Sequence, residues 1–396
     1  MLNLTRAVAP DSLTLTKSAE YFPALTGVRA VAVYMVCLYH FNPFAPYKAS
    51  EGWQKLAFIF LNQWHIGVTI FFVLSGFLIC YRYYEAAMPF TRQWFCRYLS
   101  NRVARIYPLY FLLTLLTFVH FELQPDAEHY PYIYASSSGM PATAQRLWIV
   151  FLNLTFAKAF FDHYKFTGIL QSWSLTVEEC FYVSGPFYFL WLRRGPLAWV
   201  LLPIATLLLM VGLWAILGQP EFPGLFGSLN FMLNATFFGR CLEFFAGMGL
   251  AVYLLRQRRR IRAAQNRRGS WVTIAGCIFL VACLLAMAGI GGVDNAKQCF
   301  VGIILNNAVV PVATVMLFYG LLTERTWLRC LLTTKLFDIL GKSSYALYLI
   351  HLGIINNLLR TYVLQNAALK FFLLNVIAVL LYKYVESPLR IWLKPR

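Results

Sequence analysis

The chain has 396 residues, 60% of them hydrophobic and 13% charged, with a mean hydropathy of +0.61. That balance excludes an ordinary soluble domain, and at about 20 residues per crossing it accommodates roughly ten membrane spans. The net charge of +18 is carried in short segments between apolar stretches, the pattern of cytoplasmic loops rather than of a nucleic-acid surface, so no nucleic-acid partner is expected.

Residues 1–20 (MLNLTRAVAPDSLTLTKSAE) lack the basic-then-apolar order of a cleavable signal and are expected to form a cytoplasmic tail. Spans are predicted at 24–41, 56–80, 107–122, 173–192, 197–217, 236–255, 271–290, 300–322, 336–359 and 370–386. The segment 147–161 is short, carries Asn153 and Lys158, and is expected to be re-entrant or interfacial. Only then do all the basic segments reach the cytoplasm: Arg82 to Arg105, Arg193 and Arg194, the run 256–268, and Arg325, Arg329 and Lys335. The expected fold is an all-α polytopic membrane bundle of about ten transmembrane helices. One transmembrane domain covers 21–390 between cytoplasmic tails 1–20 and 391–396, the lipid bilayer is its surround, and no soluble domain is expected after the last span. The nine cysteines show no CxxC; they read as small buried hydrophobes, and no metal site is expected.

The polar residues inside these spans are the informative ones, because charge in a bilayer is costly and marks function by default. In TGVRAVAVYMVCLYHF, Arg29 and His40 stand eleven residues apart. Eleven residues make three helical turns plus about 20°, so both leave one face, about 16 Å apart along the axis. On the predicted topology Arg29 lies toward the cytoplasm and His40 toward the outside. His65 falls in the outer half of the second span, followed by GVTIFFVLSGFL with Ser75. Arg102 and Arg105 share a face just before the third span, where paired guanidinium groups suit a phosphate-bearing ligand.

Glu178 and Glu179 are expected within about two turns of the external face, and Arg240 and Glu243 form an i,i+3 pair near an outer end. His351, with Ser344 on its face, lies in the outer half of the 336–359 span. Three histidines, two glutamates and an Arg–Glu pair at one depth suggest a shared cavity. In it His40 is the general base and Glu178 its partner, while Glu179 points about 100° away. The run 256–268 serves orientation and anionic-lipid contact. The same buried His and Glu residues would also serve a proton-coupled transporter or flippase.

Six stretches in order (LTGVRAVAVYMVCLYH, GVTIFFVLSGFLI, NRVARIYPLY, SWSLTVEECFY, GRCLEFFAGMGL and SYALYLIH) resemble the acyltransferase-3 family of integral membrane acyltransferases, over roughly Tyr21 to Arg390. The resemblance implies a ten-span protein of a bacterial inner membrane, both termini cytoplasmic. Its implied activity is that of an acyl-CoA-dependent O-acyltransferase, with acetyl-CoA or another acyl-CoA as co-substrate, no bound cofactor, and a carbohydrate acceptor on the far side. The family's motif residues carry over to Arg29, His40, Arg102, Arg105, Glu178 and His351. The CoA nucleotide is expected near Arg29, Arg102 and Arg105, with His65, Ser75, Glu179, Arg240, Glu243 and His351 in supporting roles. Tyr130, Tyr132 and Tyr134, in the polar loop 123–146, are candidates for stacking on a sugar. Two positions depart from the family pattern: Thr69, where many relatives have an acidic or amide residue, and Gly353, where many have proline. Some relatives also continue into a soluble extracytoplasmic hydrolase-like domain.

Overall fold

A computed structural model of the protein describes residues 21–47, 51–86, 90–123, 142–218, 224–257, 269–362 and 366–393. The tail 1–20, Tyr130, Tyr132 and Tyr134 and most of the run 256–268 lie outside the described residues, which are helical with no strand. In chain order the helices are α1 (Pro23–His40), α2 (Trp53–Leu61), α3 (Gly67–Tyr83), α4 (Arg92–Leu123), α5 (Ala142–Leu154) and α6 (Trp173–Leu192). Next come α7 (Ala198–Leu217), α8 (Leu229–Ala235), α9 (Phe237–Arg256), α10 (Trp271–Gly291), α11 (Phe300–Ile304) and α12 (Val310–Thr323), the last two joined by a π-helical turn, Leu305–Val309. The remainder are α13 (Trp327–Leu332), α14 (Lys335–Lys342), α15 (Ser344–Ile350), α16 (Ile354–Tyr362), α17 (Ala367–Leu381) and α18 (Ser387–Trp392), with a second π turn at Tyr382–Glu386.

Seven of these helices or continuous helix pairs are long and apolar enough to cross a bilayer: Trp53–Tyr83, Arg92–Leu123, Ala198–Leu217, Leu229–Arg256, Trp271–Gly291, Phe300–Thr323 and Ala367–Trp392. The chain is an integral membrane protein. Three of the ten predicted spans stand apart from these. α1 and α6 are long enough, but the polar residues that make them interesting lower their hydropathy. The predicted span 336–359 is not one helix: it breaks into α14, α15 and α16. The second break falls at Gly353, whose φ of 119° is closed to a proline ring fixed near −65°. The departure from the family pattern at this position thus sits where the chain turns.

At the centre α3 packs on α9. Their backbones touch where a Cβ on Gly247 would collide with the Val73 carbonyl, and one on Gly76 with the Phe244 carbonyl. Small residues allow such an approach where lipid gives helices no hydrophobic drive to associate. α1 lies against α3, α14 and α15 and is buried along most of its length by Leu25, Val28, Ala32, Val33 and Val36.

Between α5 and α6 the chain does not simply leave the bundle. Lys158 is buried, its Nζ donating to the carbonyls of Thr167 (2.6 Å) and Ile169 (2.7 Å). Gln171 Nε2 then donates to the carbonyls of Tyr348 (2.8 Å) and Leu349 (2.7 Å), at the C-terminal end of α15. α6 therefore starts in a buried position beside Tyr348 rather than at an exposed surface.

Candidate active site

The polar residues gather in two stations joined by α1. At the first, one cavity with about 750 Å³ of non-atom space, part of it open to solvent, is lined by Arg29, Arg102, Arg105, Ser75, Glu178 and Tyr182, with Tyr345 and Tyr348 above them. Arg29 Nε donates to Ser344 Oγ (3.2 Å). Arg102 Nη2 donates to the Tyr83 hydroxyl (3.2 Å), and its buried Nε has no partner. Glu178 accepts from the hydroxyls of Ser75 and Tyr182. Glu386 from the second π turn, buried at 6% exposure, and Arg390 from α18 lie within electrostatic reach of Arg105. Several guanidinium groups face fewer carboxylates here, a setting for a multiply charged anion.

At the second station, the end of α1, His40 Nδ1 lies 2.9 Å from the Val36 carbonyl and 3.3 Å from Nε2 of His351. His351 is fully buried, and its Nδ1 lies 2.7 Å from the Tyr348 carbonyl. A carbonyl only accepts, so in neutral rings both Nδ1 atoms carry the protons. His351 then presents a lone pair to His40, and the remaining nitrogen of His40, Nε2, is unprotonated on an exposed ring. That is the form a general base needs. The Tyr39 ring separates His40 from His65, with centroids 4.7 Å and 5.6 Å away.

Behind this station Arg240 and Glu243 form a fully buried pair, Nη2 to Oε1 at 2.7 Å. Arg240 Nη2 also donates to Thr69 Oγ1 (3.0 Å), and that hydroxyl donates to Asn306 Oδ1 (3.1 Å) in the first π turn. The Thr69 hydroxyl, accepting from one neighbour and donating to the other, links two groups that would otherwise be buried without each other.

A family model of an acyltransferase domain matches residues 22–382. The chain belongs to the acyltransferase-3 family. Among relatives, the Putative peptidoglycan O-acetyltransferase YrhL of Bacillus subtilis is 26% identical over 395 residues, 95% of this chain and 56% of that protein. The peptidoglycan O-acetyltransferase OatA of Listeria monocytogenes is 26% identical over 402 residues, 95% of this chain and 57% of its own length. A Staphylococcus aureus protein named as a putative O-acetyltransferase is 21% identical, over 95% of this chain and 58% of its own. The chain thus spans a little over half the length of these relatives. No solved structure matches it.

Within this member of the acyltransferase-3 family, the sequence-predicted residues divide differently from the expectation of one cavity at one depth. Arg29, Arg102, Arg105, Ser75 and Glu178 do come together. So do His40 and His351, with His65 one ring away and Arg240 with Glu243 close behind. In place of the expected His40–Glu178 pair, His40 meets His351, while Glu178 accepts from Ser75 of α3 and from Tyr182 one turn along α6. Glu179, on the neighbouring face of α6, has a buried Oε1 without a partner and lies in electrostatic reach of Arg102. Glu386, Arg390, Tyr182, Asn306 and Lys297 were not singled out from the sequence. A lone carboxylate closing an apolar run in YKYVESPLR was the available signal for Glu386.

Proposed function

We propose that the chain is a membrane O-acyltransferase that moves an acetyl or other short acyl group from cytoplasmic acyl-CoA to a carbohydrate hydroxyl at the outer side of the membrane. The observation that carries this reading is one cavity lined by Arg29, Arg102 and Arg105 together with Tyr348. The Tyr348 carbonyl holds His351, and through it His40. The arginines would hold the phosphates of CoA. The apolar lining from Leu74, Phe71, Val68 and Leu175 suits the pantetheine arm and its thioester. Glu178 would keep Ser75 and Tyr182 in place on the donor side, a role distinct from assisting the base.

His40 Nε2 would take the proton of the acceptor hydroxyl as that oxygen bonds to the thioester carbonyl carbon. The carbon–sulfur bond then breaks, and CoA leaves as a thiolate that receives the proton. The balance is one ester and one CoA thiol for each thioester and hydroxyl. The names of the relatives favour a wall polysaccharide such as peptidoglycan as the acceptor. Ten spans with both termini in the cytoplasm fit the reading, since that arrangement sets Arg29 inside and His40 outside.

The test is release of CoA thiol by the purified chain in nanodiscs given acetyl-CoA and a glycan acceptor, with the glycan gaining one acetyl unit by mass. His40→Ala should slow transfer by about 10²–10⁴-fold, and Arg29→Ala should chiefly raise the KM for acetyl-CoA. Thioester left intact by the wild type, as a transporter would leave it, overturns the proposal.

A further inference from the structure

We propose that Lys297 anchors an anionic group of the acceptor, a carboxylate or a phosphate near the hydroxyl to be acylated, beside the end of α1 that carries His40. The inference rests on the acyltransferase reading for what His40 does; the placement of Lys297 is independent of it.

Lys297 lies in the connection between α10 and α11, and its backbone is pinned from three sides. Asn295 Oδ1 accepts from the Lys297 amide (3.0 Å), while Asn295 Nδ2 reaches the Tyr39 hydroxyl (3.3 Å), next to His40. The neighbouring Ala296 amide donates to Gln63 Oε1 (3.3 Å). Asn234 Nδ2 donates to the Lys297 carbonyl (3.2 Å), and the Asn234 carbonyl accepts from Arg240 Nη1 (3.1 Å). The connection therefore holds its lysine between the end of α1 and the buried Arg240–Glu243 pair.

From there the ammonium acts electrostatically on His40, His65, Arg240 and Glu243, yet among the described residues it makes no hydrogen bond and no ion pair. The carboxylate within its reach is already taken: both Glu243 oxygens accept from Arg240 Nε at 2.9 Å. His65, at 4% exposure, also keeps an Nε2 without a partner beside it. Burial, and then the Arg240 guanidinium, hold the Lys297 ammonium well below the usual lysine range. An arriving anion reverses that penalty.

The donor is the wrong source for this anion. Its phosphates belong with Arg29, about 16 Å back along α1 from His40. The anion must therefore arrive with the acceptor. A lysine is a compact point charge without the planar fork of arginine, so it accommodates carboxylate and phosphate alike.

The experiment measures binding to the full chain in nanodiscs, without acyl donor, by isothermal titration calorimetry. Three probes are used: a hexuronate-containing oligosaccharide, the same oligosaccharide after carboxyl reduction, and the reduced form bearing a phosphate monoester. The wild type should prefer one or both charged probes over the neutral one by about tenfold or more. Lys297→Gln should bring that ratio toward one, and Lys297→Arg should retain part of it. Equal binding of all three by the wild type, which needs no variant to fold, overturns the proposal, as does an undiminished preference in Lys297→Gln. Thiol release from acetyl-CoA with the same probes judges the acyltransferase reading separately: no release with any of them overturns that reading, while the binding ratios still decide Lys297.

Discussion

His40 and His351 meet through ring nitrogens 3.3 Å apart, and in neutral rings the carbonyls of Val36 and Tyr348 decide which nitrogens carry protons. His351 is fully buried behind His40, where it positions the base. Its replacement by alanine should therefore lower kcat by about 10²-fold, the cost of a base displaced by an ångström, with a much smaller change in the KM for acetyl-CoA. His351→Gln, which keeps an acceptor oxygen, should recover part of the loss. Equal changes in kcat and donor KM would return His351 to a packing role. Arg240 and Glu243 obey a different logic. Each is buried only because the other is, so Glu243→Gln strands a guanidinium and should cost about 3–5 kcal/mol of stability, read as a lowered Tm in detergent.

Helices here are joined by close backbone contacts and by capped ends. Gly247→Ala should separate α3 from α9 and reduce the monodisperse protein recovered by size-exclusion chromatography, because its new methyl group meets Val73 and Phe77 backbone atoms with nowhere to move. At the start of α10, the Glu324 carboxylate accepts from the amides of Val272 (2.9 Å) and Thr273 (2.8 Å) and from the Thr273 hydroxyl (2.6 Å). It satisfies amide donors that a helix N-terminus leaves open. Burial works to raise this carboxyl, but the hydrogen bonds from Thr273 and Val272 outweigh it and leave it below the ordinary 4.5. A depressed carboxyl contributes stability above its ordinary pKa and loses it as pH falls through the lower folded value. Thermal stability should thus decline on the acid side of about pH 4.5. Glu324→Gln should lower stability at neutral pH by about 1–2 kcal/mol and flatten that acid limb.

At the scale of the whole molecule, the proposed topology sets Arg29 toward the cytoplasm and His40 toward the outside, and the chain's own cysteines test it. Cys96 at the start of α4 and Cys330 in α13 are both exposed, and both belong to segments proposed to be cytoplasmic. A membrane-impermeant maleimide should label them in inverted vesicles and spare them in intact cells. Asp294→Cys, in the connection that carries Lys297, should show the reverse. Labelling of the native cysteines from outside would invert the topology and remove the outward-facing acceptor site with it.

The sequence by itself determined what depends on composition and on short helical periods. The excess of apolar residues dictates a membrane bundle, eleven-residue spacing aligns Arg29 with His40, and i,i+3 spacing pairs Arg240 with Glu243. These are facts about one helix at a time. Only the tertiary structure decided how deep each helix sits against the next. The buried Lys158 and Gln171 contacts tie the start of α6 to the end of α15, and Glu178 lines the cavity with the arginines while His40 meets His351. Breaks at Ser343 and Gly353 divide a predicted span into three helices. A connection with no periodicity of its own carries Lys297 to the end of α1, and a π turn brings Glu386 to Arg105. Such contacts join residues far apart in sequence through hydrogen bonds that bear no local signature, which is why the cast of polar residues was legible in the chain while several of their pairings were not.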